Sequence, residues 1–196
     1  MTSTTLTLPS RDRRVLADLL PKSLLMDIVL VLAGAGLTGL LAQWTIPFTP
    51  VPMTGQTLAV LLVGASLGAV RGSLSMVVYV AAGLVGLPWF ADGASGYPAA
   101  TFGYLLGFII AAGLLGTLTR RGGKRSFIST FWAMVAAEVV IYVLGVSWLK
   151  ADLGVSWELA IAYGFTPFIF GDMVKAVLAG LLLPAAWYAV DRTEQS

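Results

Sequence analysis

Six apolar runs, separated by short polar connections, set the rhythm of this chain. They cover residues 24–44, 56–70, 73–88, 102–119, 129–149 and 167–190. A bilayer core of about 30 Å is crossed by roughly 20 helical residues, so each run predicts a membrane-spanning helix. The second and third runs are short and share the small-residue stretch VGASLGAVRGS, which fits tilted or incomplete crossings. The expected fold is an all-α membrane protein, a single bundle of six transmembrane helices spanning residues 24–190. A tail of residues 1–23 precedes it and residues 191–196 follow it.

Charge orients the bundle. Arg11, Arg13, Arg14 and Lys22 precede the first run, Arg71 lies between the second and third, and Arg120, Arg121, Lys124 and Arg125 follow the fourth. Short connections rich in Lys and Arg stay on the cytoplasmic side, which places both termini there. The connections 45–55, 89–101 and 150–166 hold only Asp92, Lys150, Asp152 and Glu158, and so face outward. In the N-terminal tail, Val15, Leu16, Leu19 and Leu20 outline a short amphipathic helix at the inner surface, ended by Pro21. Cleavage after the A-x-A match at Ala33 and Ala35 is the competing reading of this region, but it would destroy the first span.

Composition narrows the chemistry. The chain is 58% hydrophobic and only 11% charged, with a mean hydropathy of +0.87, where soluble domains carry about 25% charged residues. A net charge of +2, spread over the ends of apolar runs, does not describe a nucleic-acid partner. Without Cys or His the chain has no disulfide, no thiol nucleophile, no imidazole metal site and no Ser-His-Asp triad. GAGLTG at 34–39 matches a dinucleotide fingerprint only in letters, since no strand precedes it and no acid follows about 20 residues on. RRGGKRS at 120–126 lacks the spacing of a phosphate-binding loop, so any energy for work comes from elsewhere. Small residues four apart, at Gly64, Gly68 and Gly72 and at Gly103 and Gly107, fit close helix packing within the bundle. Ala35 and Gly39 share that spacing and fit either packing within the bundle or a docking face for a membrane partner, for which they are the candidates.

Three stretches carry candidate chemistry. IPFTPVPMTGQT, residues 46–57, combines three prolines with Thr49, Thr54, Gln56 and Thr57 and has no charge; a stiff, uncharged segment suits a lid over a pocket as well as a plain turn. GLPWFADGASGYPAATFGYLLGF, residues 86–108, sets Trp89, Phe90, Tyr97 and Tyr104 around Asp92, which reads as an interfacial aromatic belt with small residues that let a backbone approach a ligand. In FTPFIFGDMVKAVLAG, residues 165–180, Thr166 and Pro167 read as the start of the last helix. Asp172 and Lys175 are then i and i+3 on one face. Each charge costs about 3 kcal/mol near the bilayer centre, so the pair points into the bundle, either as an orienting ion pair or as a ligand site. Together they offer acceptors and donors to a small polar ligand. Glu138, with Tyr142 one turn on, forms a possible second polar site.

TPVPMTGQTLAVLLVGASLG, GLVGLPWFADGASG, FGYLLGF and FGDMVKAVLA, in this order and spacing, closely resemble the BioY family, the biotin-specific substrate-binding (S) components of energy-coupling-factor (ECF) transporters. The resemblance covers residues 24–190. It implies biotin uptake at the plasma membrane by an outward-facing pocket, with no cofactor and no catalysis, in partnership with a transmembrane coupling subunit and two ATPase subunits. Position by position, it makes Asp172 and Lys175 biotin contacts and puts Thr54 and Gln56 near the lid. Trp89, Asp92 and Tyr104 join them as substrate-binding candidates, although family members often carry Asn or Gly at the position of Asp92 and a G-P-T-G-G-Y run in place of ATFGY. The alternative is a self-sufficient secondary transporter for a small vitamin-like substrate, with Glu138 as its central ionisable group.

Overall fold

All six apolar runs form helices in the computed structural model, which describes residues 14–121 and 126–193. In chain order they are α1 (Leu24–Ala42), α2 (Gln56–Leu67), α3 (Ala69–Leu84), α4 (Phe102–Arg121), α5 (Phe127–Leu153) and, after an additional helix, α7 (Ile169–Thr193). That additional helix, α6 (Trp157–Gly164), lies in the connection 150–166. The described residues therefore hold seven α-helices: the six apolar runs and α6, whose eight residues are too few to cross a membrane. Two short strands, β1 (Thr45–Ile46) and β2 (Met53–Thr54), pair antiparallel between α1 and α2. Basic residues 11, 13, 124 and 125, which entered the orientation argument, lie outside the described residues.

Local signals explain where the helices begin and end. Ser23, Ser126 and Ser156 each accept a hydrogen bond from a backbone N–H in the first turn of α1, α5 and α6, satisfying donors that a helix leaves unpaired. Gly68, at φ 84°, separates α2 from α3 in a backbone conformation that side chains resist. α7 starts later than Thr166 and Pro167 suggest: the Thr166 N–H and hydroxyl both bond the Ile161 carbonyl and close α6 instead. Asp172 is thus in the first turn of α7, where the positive end of the helix dipole favours a carboxylate.

Four helices, α1, α4, α5 and α7, are long and apolar enough to cross a membrane, while α2 and α3 are shorter. Large apolar side chains such as Leu25, Leu40, Trp132, Val143 and Phe170 lie exposed around the bundle. With apolar side chains both inside and outside, the chain is a multi-pass membrane protein solvated by lipid. Because lipid provides no hydrophobic drive between helices, association depends on close backbone approach. A Cβ on Gly64 would lie 2.8 Å from the Ala112 carbonyl oxygen, and one on Gly107 would lie 2.9 Å from Ile141 Cα. These glycines seat α4 against α2 and α5.

Charged groups gather at the end of the bundle opposite the hairpin. A single 3-10 turn, Leu16–Leu19, docks there with Val15 and Ala17 buried, in place of an amphipathic helix lying on the surface. Asp18 pairs with Arg71 at 3.5 Å and Arg120 at 3.0 Å, and Arg71 reaches Asp27 at 2.6 Å. The N-terminal segment, α1, α3 and α4 are thereby joined through one ionic cluster. At the other end, the hairpin, the connection 85–101 and the α6–α7 turn cover a cavity.

Candidate ligand-binding site

The cavity has a volume of about 200 Å³ and opens between the hairpin, the connection 85–101 and helices α2, α4, α5 and α7. Phe90, Ala91 and Ala94 wall one side, with Leu105, Phe108, Ile141 and Phe168 facing them. The hairpin closes over it: Gly55 N–H bonds the Trp44 carbonyl, and Phe48 at the tip meets the edge of Phe168 with ring centroids 6.0 Å apart. The Thr49–Pro50 bond at that tip is cis.

Polar groups converge on the α7 side. Lys175 Nζ donates to Asp172 Oδ1 at 2.7 Å, to the Thr54 carbonyl at 2.6 Å and to Thr57 Oγ1 at 2.9 Å, so all three of its N–H bonds have acceptors. The Thr57 hydroxyl donates in turn to Asp172 Oδ1 at 3.0 Å, and the Tyr142 hydroxyl donates to Asp172 Oδ2. Asp172 is 4% exposed. This buried ion pair meets the condition that makes such pairs tolerable: each charge has an opposite partner and further hydrogen bonds. Beside it, the Gln56 side chain accepts from Thr54 Oγ1 at 2.7 Å and donates to the Tyr79 hydroxyl at 2.5 Å. Tyr104 anchors the far wall by donating to the Gly164 carbonyl at 2.7 Å.

Asp172, Lys175, Thr54, Gln56, Tyr104 and Tyr142 all line this one cavity. Trp89, Asp92 and Glu138 do not. The Trp89 ring packs against Tyr79, centroids 5.2 Å apart, and its indole N–H bonds the Tyr79 carbonyl. Asp92 sits at φ 57° on the exposed side of its loop and accepts from the Thr45 hydroxyl. Glu138 is buried in α5 beyond Tyr142, and its Oε1 has no hydrogen-bond partner among the described residues. Ala35 and Gly39 are packed closely: Ala35 is 1% exposed, and a Cβ on Gly39 would lie 2.9 Å from the Trp89 ring. Both positions meet other parts of this chain, as close packing within the bundle requires. Thr57 belongs to the same polar stretch as Thr54 and Gln56, but only the approach of α7 to α2 shows that its hydroxyl bridges both charges.

The family model for the BioY family matches residues 11–192. The chain belongs to the BioY family. Among its BioY relatives, the biotin transporter BioY2 of Lactococcus lactis subsp. cremoris is 35% identical over 174 residues, covering 87% of this chain and 95% of that protein. The biotin transporter BioY of Thermotoga maritima is 39% identical over 141 residues, covering 70% of this chain and 82% of that protein. A crystal structure of the S-component for biotin from an ECF-type ABC transporter superimposes with a TM-score of 0.74 at 19% identity, covering 86% of this chain and 95% of that one. The BioY fold of the chain is therefore that of an S component.

Proposed function

We propose that this chain is the biotin-binding S component of an ECF-type transporter, capturing biotin at the outer face of the plasma membrane. The observation that carries the reading is the cluster of Asp172, Lys175, Thr57 and Tyr142 at the polar side of an otherwise apolar cavity. Biotin presents a ureido ring with N–H donors and a carbonyl acceptor, fused to an apolar thioether ring and a hydrocarbon chain. Asp172 suits the N–H groups, the Lys175 ammonium suits a carbonyl or carboxylate oxygen, and Phe90, Phe108 and Phe168 suit the apolar part. Asp172 accepts from three donors, and its Oδ2 takes only the Tyr142 hydroxyl, which leaves acceptor capacity on the carboxylate for a ligand N–H.

The hairpin and the connection 85–101 face outward in this reading, and the ionic cluster of Asp18, Arg71 and Arg120 faces the cytoplasm with both termini. A transmembrane coupling subunit and two ATPase subunits supply the energy. Purified protein should bind labelled biotin without ATP at one ligand per chain, and calorimetric titration measures this directly. Absence of saturable binding in the folded protein would sink the proposal. Biotin uptake by the chain alone, abolished by Glu138→Gln, would favour the self-sufficient transporter instead.

A further inference from the structure

We propose that Gln43, at the C-terminal end of α1 and outside the cavity, is the positioning residue that latches the connection 85–101 in place and so sets how long a ligand stays bound. The inference rests on the cavity being the biotin site and adds a residue that neither touches the cavity nor carries charge. Gln43 Nε2 lies 2.9 Å from the Gly39 carbonyl, 3.1 Å from the Trp89 carbonyl and 3.1 Å from the Phe90 carbonyl. Its Oε1 accepts from the Gly93 N–H at 3.0 Å. Three carbonyls and one N–H around a single carboxamide fix its orientation, since the reverse would set oxygen against oxygen. A side chain that both donates and accepts at this reach is required: glutamate lacks the donor and lysine the acceptor.

The segment it grips forms a wall of the cavity. Phe90, Ala91 and Ala94 line it, while the backbone bonds of residues 89–94 run only to residues 87–94 of the same loop. That segment is tied to the body of the protein by the Gln43 carboxamide, by the Thr45–Asp92 hydrogen bond, by the Trp89 indole on Tyr79, by the Tyr79 hydroxyl on the Trp89 carbonyl at 3.4 Å and by the buried Phe90 ring against Tyr79. Gln43 also stands two residues before β1, where the hairpin leaves α1. One helix end therefore fastens both covers of the cavity, and displacement of the 89–94 wall requires the carboxamide contacts to break.

The test measures dissociation and association of labelled biotin separately, with hydrogen exchange of peptide 89–94 in the unliganded protein as a second reading. Gln43→Leu should speed dissociation roughly 3- to 30-fold, as expected for losing a few partly exposed hydrogen bonds, while association stays at the parent rate. Exchange in peptide 89–94 should quicken in the same variant. Gln43→Glu keeps the shape and loses the donors; it should behave alike, and it carries the test where Gln43→Leu does not fold. Thr45→Val, which keeps the carboxamide, should show a smaller change. Parent-like dissociation and exchange in both Gln43 variants would overturn the latch. So would fewer binding-competent molecules with unchanged rate constants, which marks a purely structural role. If the parent protein binds no biotin, the functional reading falls, and the exchange comparison still decides whether Gln43 holds the wall.

Discussion

Asp172 shows how a charge is kept in a membrane protein without being wasted. Its two oxygens accept from Lys175, Thr57 and Tyr142, and its place in the first turn of α7 adds the favourable end of the helix dipole. Asp172→Asn keeps the shape but strands Lys175 and removes a charge-assisted acceptor. Such bonds contribute about 1.5 to 3 kcal/mol, so biotin affinity should fall roughly 10- to 100-fold. Lys175→Met should weaken binding by a similar order. Neutralising both together removes the stranded charge, so thermal stability should recover relative to either single variant while binding stays lost. Calorimetric titration and thermal unfolding in detergent measure the two quantities on the same proteins. A double variant with parent affinity would make the pair structural. Thr57→Val provides a finer probe. It leaves one Lys175 N–H without its acceptor and should cost about 1 to 3 kcal/mol of stability, read in the same unfolding experiment.

At the scale of elements, glycines decide how closely segments meet, and Gly39 makes the sharpest case. Gly39→Leu would push its side chain into the Trp89 ring and displace the connection 85–101 that walls the cavity. Overpacking of this kind costs about 1 to 3 kcal/mol, so both melting temperature and biotin affinity should drop. Gly36, three residues earlier, has open space where its Cβ would stand; Gly36→Leu should leave binding intact. A Gly39→Leu protein with parent affinity would contradict the packing. This pair also shows what the chain alone discloses. Periodic small residues announced that α1 packs closely on something, but Ala35 and Gly36 are adjacent in sequence and only the tertiary fold says which faces inward. The long apolar runs were legible because a bilayer demands length, and the Asp172–Lys175 spacing was legible because a helix puts i and i+3 on one face. α6 was not, since its eight residues fall below any membrane-crossing length. Tyr79, wholly buried and joined to both Gln56 and Trp89, carries no sequence signal that separates it from an ordinary core aromatic.

For the whole molecule, the two ends of the bundle differ in kind. One end holds Asp18, Asp27, Arg71 and Arg120 in a shared ionic cluster; the other holds the hairpin and two connections that cover the cavity, with Trp44 and Tyr97 exposed among them. Lys and Arg in short connections favour the cytoplasmic side, whereas aromatic side chains settle at either membrane interface, so only the basic end orients the protein. The connection after α4 carries further basic residues in sequence, and α5 returns the chain from it to Gly154, whose φ of 65° ends the helix on the cavity side. α5 has 27 residues, about 40 Å of helix, enough to cross the hydrocarbon core with a tilt. A reporter that works only in the cytoplasm should accordingly be active when fused after Arg125 and inactive when fused at Gly154, one crossing later. Exchanging Arg71 and Arg120 for Gln should weaken that asymmetry, because it removes positive charge from two connections while leaving every apolar run intact. The reverse activity pattern in the parent protein would put the cavity on the cytoplasmic side, and a chain so oriented could not capture biotin from outside the cell.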